Sequence, residues 1–265
     1  MDGRYLVTTA VTSRRGEAEE LAAGLGREYD LVCCTGGDGT LNETLSGLAS
    51  EGIDVPIGYI PCGSTNDFAV SRGLSPDIPT AAKAIASGRC RRHDVGRFGK
   101  RYFSYVAAFG AFSWLSYTTD QNLKNVLGHT AYILDAIKDI YKIKPARLTI
   151  RADGVCREDE YIFGAVCNST SVAGTITLPE ELVDTCDGIF EVLLIKTPKT
   201  IADLDSIIRG LLSQDYSSPL IDFFQTKLLT IESPEGLEWA LDGECCVPDG
   251  SVTVSVMPGF LNLQS

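Results

Sequence analysis

The sequence is short of the patterns on which zinc and thiol chemistry depends. Nine cysteines occur in 265 residues, but they stand singly or as the adjacent pairs Cys33-Cys34 and Cys245-Cys246. No Cys-x-x-Cys spacing exists, which removes zinc-ribbon and thioredoxin-like readings and leaves reduced core thiols. There are two histidines, His93 and His129. They lie far from each other and from any cysteine motif, so neither a zinc site nor a Cys/His nucleophilic pair is expected. Positive charge is also scarce: 23 Lys and Arg against 35 Asp and Glu give a net charge of -12 and a pI near 4.6. A general nucleic-acid binder needs clustered cations to displace phosphate counterions, so no nucleic-acid partner is expected. Arg89, Arg91, Arg92, Arg97, Lys100 and Arg101, with His93 among them, form the local exception. They read either as a solvated helix end and hairpin or as a basic face for anionic headgroups.

Long apolar runs are missing as well. The most apolar longer stretch, residues 102–115, is interrupted by Ser104, Gly110 and Ser113 and falls short of the roughly 18 residues that a membrane span requires. Residues 5–11 are apolar but have no basic segment before them and no cleavage site after them, so they are not a secretion signal. A cytoplasmic protein that meets membranes only from outside is expected. Repeats, low-complexity tracts and flexible linkers are lacking too, so two halves should pack directly on each other with the crevice between them as the default ligand site.

What is present points to an α/β chain. A hydrophobic content of 44% over this length is enough for a sizeable core and favours two domains. Residues 5–11 read as a strand, 16–25 as a helix and 31–35 as a second strand, a βαβ unit. The turn Gly36-Gly37-Asp38-Gly39 leads into a helix over 40–48, with Leu41, Leu45 and Leu48 on one face. A strand over 56–60, the turn Pro61-Cys62-Gly63-Ser64 and a helix over 79–87 follow. Residues 1–91 are therefore expected to form a parallel-sheet domain. From 92 to 265 the texture is β-rich. Residues 94–97 and 101–107 flank Phe98-Gly99-Lys100 like a hairpin. Strand-like segments recur at 147–150, 161–167, 190–195 and 252–256, with helices over 122–141 and 201–212.

The strongest local signal is Thr35-Gly36-Gly37-Asp38-Gly39-Thr40-Leu41-Asn42-Glu43. Glycines between a buried strand and a helix start let the backbone turn tightly and approach a ligand, and the free amides there favour phosphate. Thr40-x-x-Glu43 equally fits a capping box in an ordinary strand-helix turn.

These motifs resemble the diacylglycerol kinase family, with its bacterial, sphingosine and ceramide kinase relatives. The resemblance rests on Gly-Gly-Asp-Gly-Thr followed by Asn-Glu, then Pro61-x-Gly63-Ser64-Thr65-Asn66-Asp67-Phe68-Ala69. It continues through Asp94-Val95-Gly96, Leu127-Gly128 with Tyr132, Leu178-Pro179 before Asp184 and Asp187-Gly188, and Leu241-Asp242-Gly243-Glu244. It implies a Rossmann-like α/β nucleotide-binding domain and a β-rich, β-sandwich-like second domain, as in NAD kinases. ATP would lie between them and a lipid hydroxyl at the membrane surface would accept its γ-phosphate. Diacylglycerol is the expected acceptor, with oligomeric state, including a homodimer, left open. On that resemblance Gly36, Gly37, Asp38, Gly39, Thr40, Leu41 and Asn42 cradle the nucleotide phosphates. Ser64 and Thr12 would add hydroxyl contacts, and Asp67 would order the site or serve as an N-terminal helix carboxylate.

Phosphoryl transfer needs a cation against developing charge and a group to take the alcohol proton. The family places its proton acceptor in Asp242-Gly243-Glu244, which makes Glu244 the first choice and Asp242 the alternative, while Asp-Gly also fits a hairpin turn. A magnesium ion is implied at Asp184 and Asp187 with the Ile189 carbonyl, where a plain turn is the other reading. Family members usually begin with a further strand and an Asn-Pro-x-x-Gly loop that has no match in this sequence, which would open a sheet edge. NAD kinase, which shares the Gly-Gly-Asp-Gly turn, and a non-catalytic lipid- or nucleotide-binding relative are the alternatives.

Overall fold

The computed structural model describes residues 5–64, 66–110, 144–172 and 176–265. The expected helix over 122–141, with Leu127, Gly128, His129 and Tyr132, lies outside them. The chain divides into two compact units. Unit 1 comprises Met1–Tyr105, Thr185–Gly188 and Met257–Ser265; unit 2 comprises Val106–Asp184 and Ile189–Val256.

Unit 1 is the α/β half. Helix α1 (Glu17–Leu25) precedes β1 (Val32–Gly36), α2 (Asp38–Ser50) and β2 (Ile57–Pro61). Strands β1 and β2 are parallel, with Val32 opposite Ile57 and Gly36 opposite Pro61. Short α3 (Asp67–Ser71) and α4 (Ile78–Ala86) follow. Asp77 caps α4 by accepting the Thr80 N–H at 2.9 Å. Strand β3 (Cys90–Phe98) turns through Gly99 and Lys100 into β4 (Arg101–Phe103), with Gly96 opposite Phe103. The end of the chain returns here: Leu263 and Gln264 lie parallel to Ile57 and Gly58. Leu41, Leu45 and Leu48 are buried, as their helical spacing predicts, as is Phe68, while Ile85 of α4 packs in a separate cluster with Ile60 and Ala81. Each such side chain contributes roughly 1.5–3 kcal/mol on burial.

One expected strand does not form. Residues 5–11 have a strand-like composition but take no place in a ladder among the described residues, and Leu6 is 99% exposed. A β pattern supplies side chains, not a hydrogen-bonding neighbour, and without a neighbour the backbone is left to water.

Unit 2 is built on a strand that changes partners along its length. β5 (Val106–Gly110), β6 (Ala146–Ala152) and the long β7 (Val155–Cys167) come first. The first half of β7 pairs with β6, and its second half runs between β5 and β10 (Phe190–Lys196). Its burial changes at the same place, exposed before Tyr161 and buried from there to Cys167. A two-residue ladder, β8 (Ser171–Val172) with β9 (Ile176–Thr177), precedes β10. Helix α5 (Ile201–Ser213) begins in a complete capping box between Thr200 and Asp203. β11 (Ile221–Thr226) pairs with β10, β12 (Leu228–Glu232) with β6, and β13 (Trp239–Leu241) with both β5 and β14 (Glu244–Cys246). β15 (Ser251–Gln264) begins here against β12 and ends in unit 1. Phe163, Phe190 and Trp239 fill the core, Trp239 with its ring 4.9 Å from that of Phe109.

Candidate active site

The glycine turn of unit 1 is held by a second one. Gly36 ends β1, and its carbonyl accepts the Cys62 N–H at 2.7 Å and the Tyr59 hydroxyl at 3.2 Å. Burial is the main reason that the Tyr59 phenol is held above its ordinary range, with the Asp38 charge adding to it. The 36–39 and 61–64 turns then meet main chain to main chain. A Cβ on Gly63 would stand 2.6 Å from the Gly37 Cα and 2.9 Å from Asn66 Oδ1. No side chain fits there, which gives Gly63 a packing reason beyond its flexibility. Asn66 closes the second turn by accepting the Gly63 N–H and donating to the Gly63 carbonyl, both at 2.8 Å, from a left-handed conformation that asparagine tolerates.

Helix α2 starts at Asp38, two residues earlier than the sequence pattern suggests, and its N-terminus has no side-chain cap. Both acids able to provide one serve neighbours instead. The Asp38 carboxylate accepts the Asp67 N–H at 2.9 Å and the Phe68 N–H at 3.1 Å, capping α3. Glu43 accepts the Gly16 N–H at 2.8 Å and the Ala18 N–H at 3.3 Å, capping α1. The Thr40-x-x-Glu43 pattern therefore does not close a capping box. The first-turn amides of α2 have no carbonyl of their own helix to bond, and the residues that carry them are half-buried. With the helix dipole, free amides in such a place favour an anion.

The expected phosphate-loop residues separate by environment. Gly36, Gly37, Asp38, Gly39 and Thr40 sit at the bend. Leu41 is buried and its N–H bonds to the Gly37 carbonyl, and the buried Asn42 donates to the Tyr102 carbonyl at 3.1 Å. Ser64 is exposed beside Gly63, and Thr12 is exposed in the irregular segment before α1. Asp67 opens α3; burial first, and then the charge of Asp38, hold its carboxyl above the usual carboxylate range.

The turn that carries Asp187 is fixed from β3. The Asp94 carboxylate is fully buried and accepts the Gly188 N–H at 2.6 Å and the Gly259 N–H at 2.7 Å, while the Asp94 N–H donates to the Thr185 carbonyl at 2.8 Å. Nothing in the spacing of these residues announces this staple. His93, isolated in sequence from any cysteine motif, lies 3.7 Å from Cys186 Sγ and 3.1 Å from Thr185 Oγ1. Asp187 is exposed in unit 1; in unit 2, Asp184 is exposed and Ile189 half-buried. Among the described residues no three His, Cys, Asp or Glu side chains are grouped to hold a metal ion.

In unit 2, Asp242 and Gly243 form the two-residue turn between β13 and β14, with φ of 49° and 85°. Positive φ at both positions is the type I′ signature. The two acids part company here. Asp242 is buried; its Oδ1 accepts the Val106 N–H at 3.1 Å and its own N–H donates to the Val106 carbonyl at 2.9 Å. Glu244 is half-buried at the start of β14.

Comparison with known proteins gives these features a family. Residues 3–98 match the diacylglycerol kinase catalytic domain, and residues 113–265 match the YegS C-terminal NAD kinase beta sandwich-like domain. A diacylglycerol kinase of Bacillus subtilis (strain 168) is 30% identical over 243 residues, 91% of this chain and 80% of that protein. One of Staphylococcus haemolyticus (strain JCSC1435) is 30% identical over 246 residues, 91% and 73%. A crystal structure of a diacylglycerol kinase from Bacillus anthracis str. Sterne aligns with a TM-score of 0.71 at 24% identity, covering 96% of this chain and 82% of that one. An NAD kinase from Archaeoglobus fulgidus in complex with ATP shares the fold more distantly, with a TM-score of 0.51 at 16% identity over 93% and 80%. The chain belongs to the diacylglycerol kinase family and carries its catalytic domain, which makes it a lipid kinase.

Proposed function

We propose that the chain transfers the γ-phosphate of ATP to the hydroxyl of a diacylglycerol at a membrane surface, giving phosphatidic acid. The observation that carries this reading is the uncapped start of α2. Asp38 and Glu43 cap α3 and α1, which leaves the amides of the 37–40 turn available for the β- and γ-phosphates. The lipid oxygen attacks the γ-phosphorus, the bond to the β-phosphate oxygen breaks, and the alcohol proton passes to Glu244. Asp242, whose oxygen is engaged by the Val106 N–H, sets the turn rather than taking the proton. An ordinary carboxylate, with a pKa near 4, assists such a transfer in concert with the phosphate, not by prior deprotonation.

Asp184, Asp187 and the Ile189 carbonyl are the proposed holders of magnesium. Their donors are all oxygens, as a hard cation prefers. When bound, magnesium supplies charge compensation. Among the described residues no helix is long and apolar enough to cross a membrane, and we assign the protein a peripheral place on the cytoplasmic face. Radiolabelled ATP with diacylglycerol in mixed micelles tests the reading. Labelled phosphatidic acid supports it; NADP formed from added NAD, or nucleotide binding without any product, overturns it.

A further inference from the structure

The acidic chain concentrates its positive charge in one element. Residues 89–101 carry six Lys and Arg and one Asp, a net +5 in a chain of net -12, so the remainder carries -17. The single acid, Asp94, is fully buried, whereas all six cations are exposed. Elsewhere four arginines are paired with carboxylates, Arg14 with Glu20, Arg147 with Glu158, Arg151 with Glu232 and Arg209 with Asp205, while Arg27 donates to the Glu51 carbonyl and Arg157 lies over the Phe224 ring. In this element Arg92 alone is paired, with Asp54. Among the described residues no carboxylate lies within ion-pair distance of Arg89, Arg91, Arg97, Lys100 or Arg101. Acids outnumber bases overall, so an unpaired cluster of this size is charge held ready for something outside the chain.

The geometry gives the cluster a working end. The register of β3 and β4 places Arg97 opposite Tyr102, and cross-strand partners share a face, so a half-exposed phenol lies beside a guanidinium. That combination suits a headgroup layer, where an aromatic ring and a long cationic stem both find apolar and polar surroundings. Arg97 Nε donates to the Gly99 carbonyl at 3.0 Å, which keeps the side chain over the turn; Lys100 lies in that turn and Arg101, opposite Phe98, begins the returning strand. The same hairpin is joined to the phosphate-binding helix: Asn42 of α2 donates to the Tyr102 carbonyl at 3.1 Å. A surface that holds this turn also holds the start of α2 close by.

We propose that the tip of the β3–β4 hairpin docks the protein on an anionic lipid bilayer, with Arg97, Lys100 and Arg101 engaging headgroup phosphates around the turn and Tyr102 beside Arg97. The choice of a bilayer over other polyanions rests on the lipid-kinase reading, since the acceptor of such an enzyme resides in one. Docking itself is measurable without turnover. The full chain is sedimented with sucrose-loaded vesicles of equal parts phosphatidylcholine and phosphatidylglycerol, and with pure phosphatidylcholine vesicles. Binding to the anionic vesicles alone, weakened by salt, is expected. Each cation at a surface strengthens partitioning by about fivefold, so R97Q/K100Q/R101Q should bind about a hundredfold more weakly.

R97K/K100R/R101K, which keeps the charge, should bind like the parent. R147Q/R151Q, which removes paired cations elsewhere, should change little. The kinase assay in uncharged mixed micelles should be unaffected by the triple Gln variant. Failure of the parent to bind anionic vesicles, or undiminished binding by the triple Gln variant, overturns the proposal whether or not the protein phosphorylates lipid. Vesicle binding with no lipid phosphorylation overturns the kinase reading and leaves the docking surface standing.

Discussion

The Asp38 carboxylate accepts the main-chain N–H of Asp67 at 2.9 Å, and this bond joins the first turn of α2 to the first turn of α3. Together with the 3.1 Å bond from the Phe68 N–H, it makes an acid from one glycine turn the cap of the helix that follows the other. Loss of a side-chain cap costs about 0.5–2 kcal/mol. Asp38→Ala should therefore lower the unfolding free energy by an amount within that range and also loosen the first turn of α3. Calorimetry gives the first effect, and amide hydrogen exchange at Asp67 and Phe68 gives the second. Unchanged protection of those two amides would show that the cap does not hold them.

Gly63→Ala tests the contact between the two turns. The new Cβ would meet the Gly37 Cα at 2.6 Å, and because that neighbour is main chain it cannot rotate away. Overpacking of this sort costs about 1–3 kcal/mol. Because the shift falls on Gly37, nucleotide affinity should drop by more than the loss of stability alone explains. ATP titration by calorimetry at a temperature where both proteins are folded would show it. Equal affinity would mean that the bend does not contact the nucleotide.

Much of this arrangement is legible in the sequence because it is local. Leucine spacing gives α2, short apolar segments between turn signals give β1, β2 and β10, and the apolar pattern over 201–212 gives α5. What is not legible depends on partners distant in sequence. Residues 5–11 carry a strand pattern, yet a ladder place is granted by a neighbour. Glu43 fits a capping box with Thr40 but caps α1 because helix α1 brings its N-terminus there. The burial of Asp94 among the amides of Gly188 and Gly259, and the nearness of His93 to Cys186, join segments more than ninety residues apart. The family motifs mark which residues matter; they do not say that Leu41 and Asn42 are committed to packing and to Tyr102.

The two acids of the 242–244 turn should separate kinetically. Glu244→Gln keeps the size of a half-buried side chain and removes the proposed proton acceptor, so turnover should fall about 10²–10⁴-fold with little change in stability. Asp242→Asn keeps an oxygen for the Val106 N–H and tolerates the positive φ, so its fall should be smaller. Single-turnover rates of lipid phosphorylation decide the matter. Full activity in both variants would remove the proton acceptor from this turn.

Asp67 should give stability an unusual pH dependence. Its carboxyl is raised by burial and then by Asp38, so the folded chain holds this proton more tightly than the unfolded chain, whose aspartates titrate at about 4. The favourable contribution is complete below that pH and is lost as pH rises through the higher folded value. At neutral pH the ionised side chain is a liability that asparagine does not share, and the main-chain N–H given to Asp38 is untouched by the change. Asp67→Asn should melt higher than the parent at pH 7, with the difference closing as the solution is brought below about pH 4. A constant difference across that series, measured by calorimetry, would show that the titration of Asp67 is not coupled to folding. If the variant gains stability while losing phosphoryl transfer, the raised carboxyl is held there at the expense of the fold because the site needs its charge.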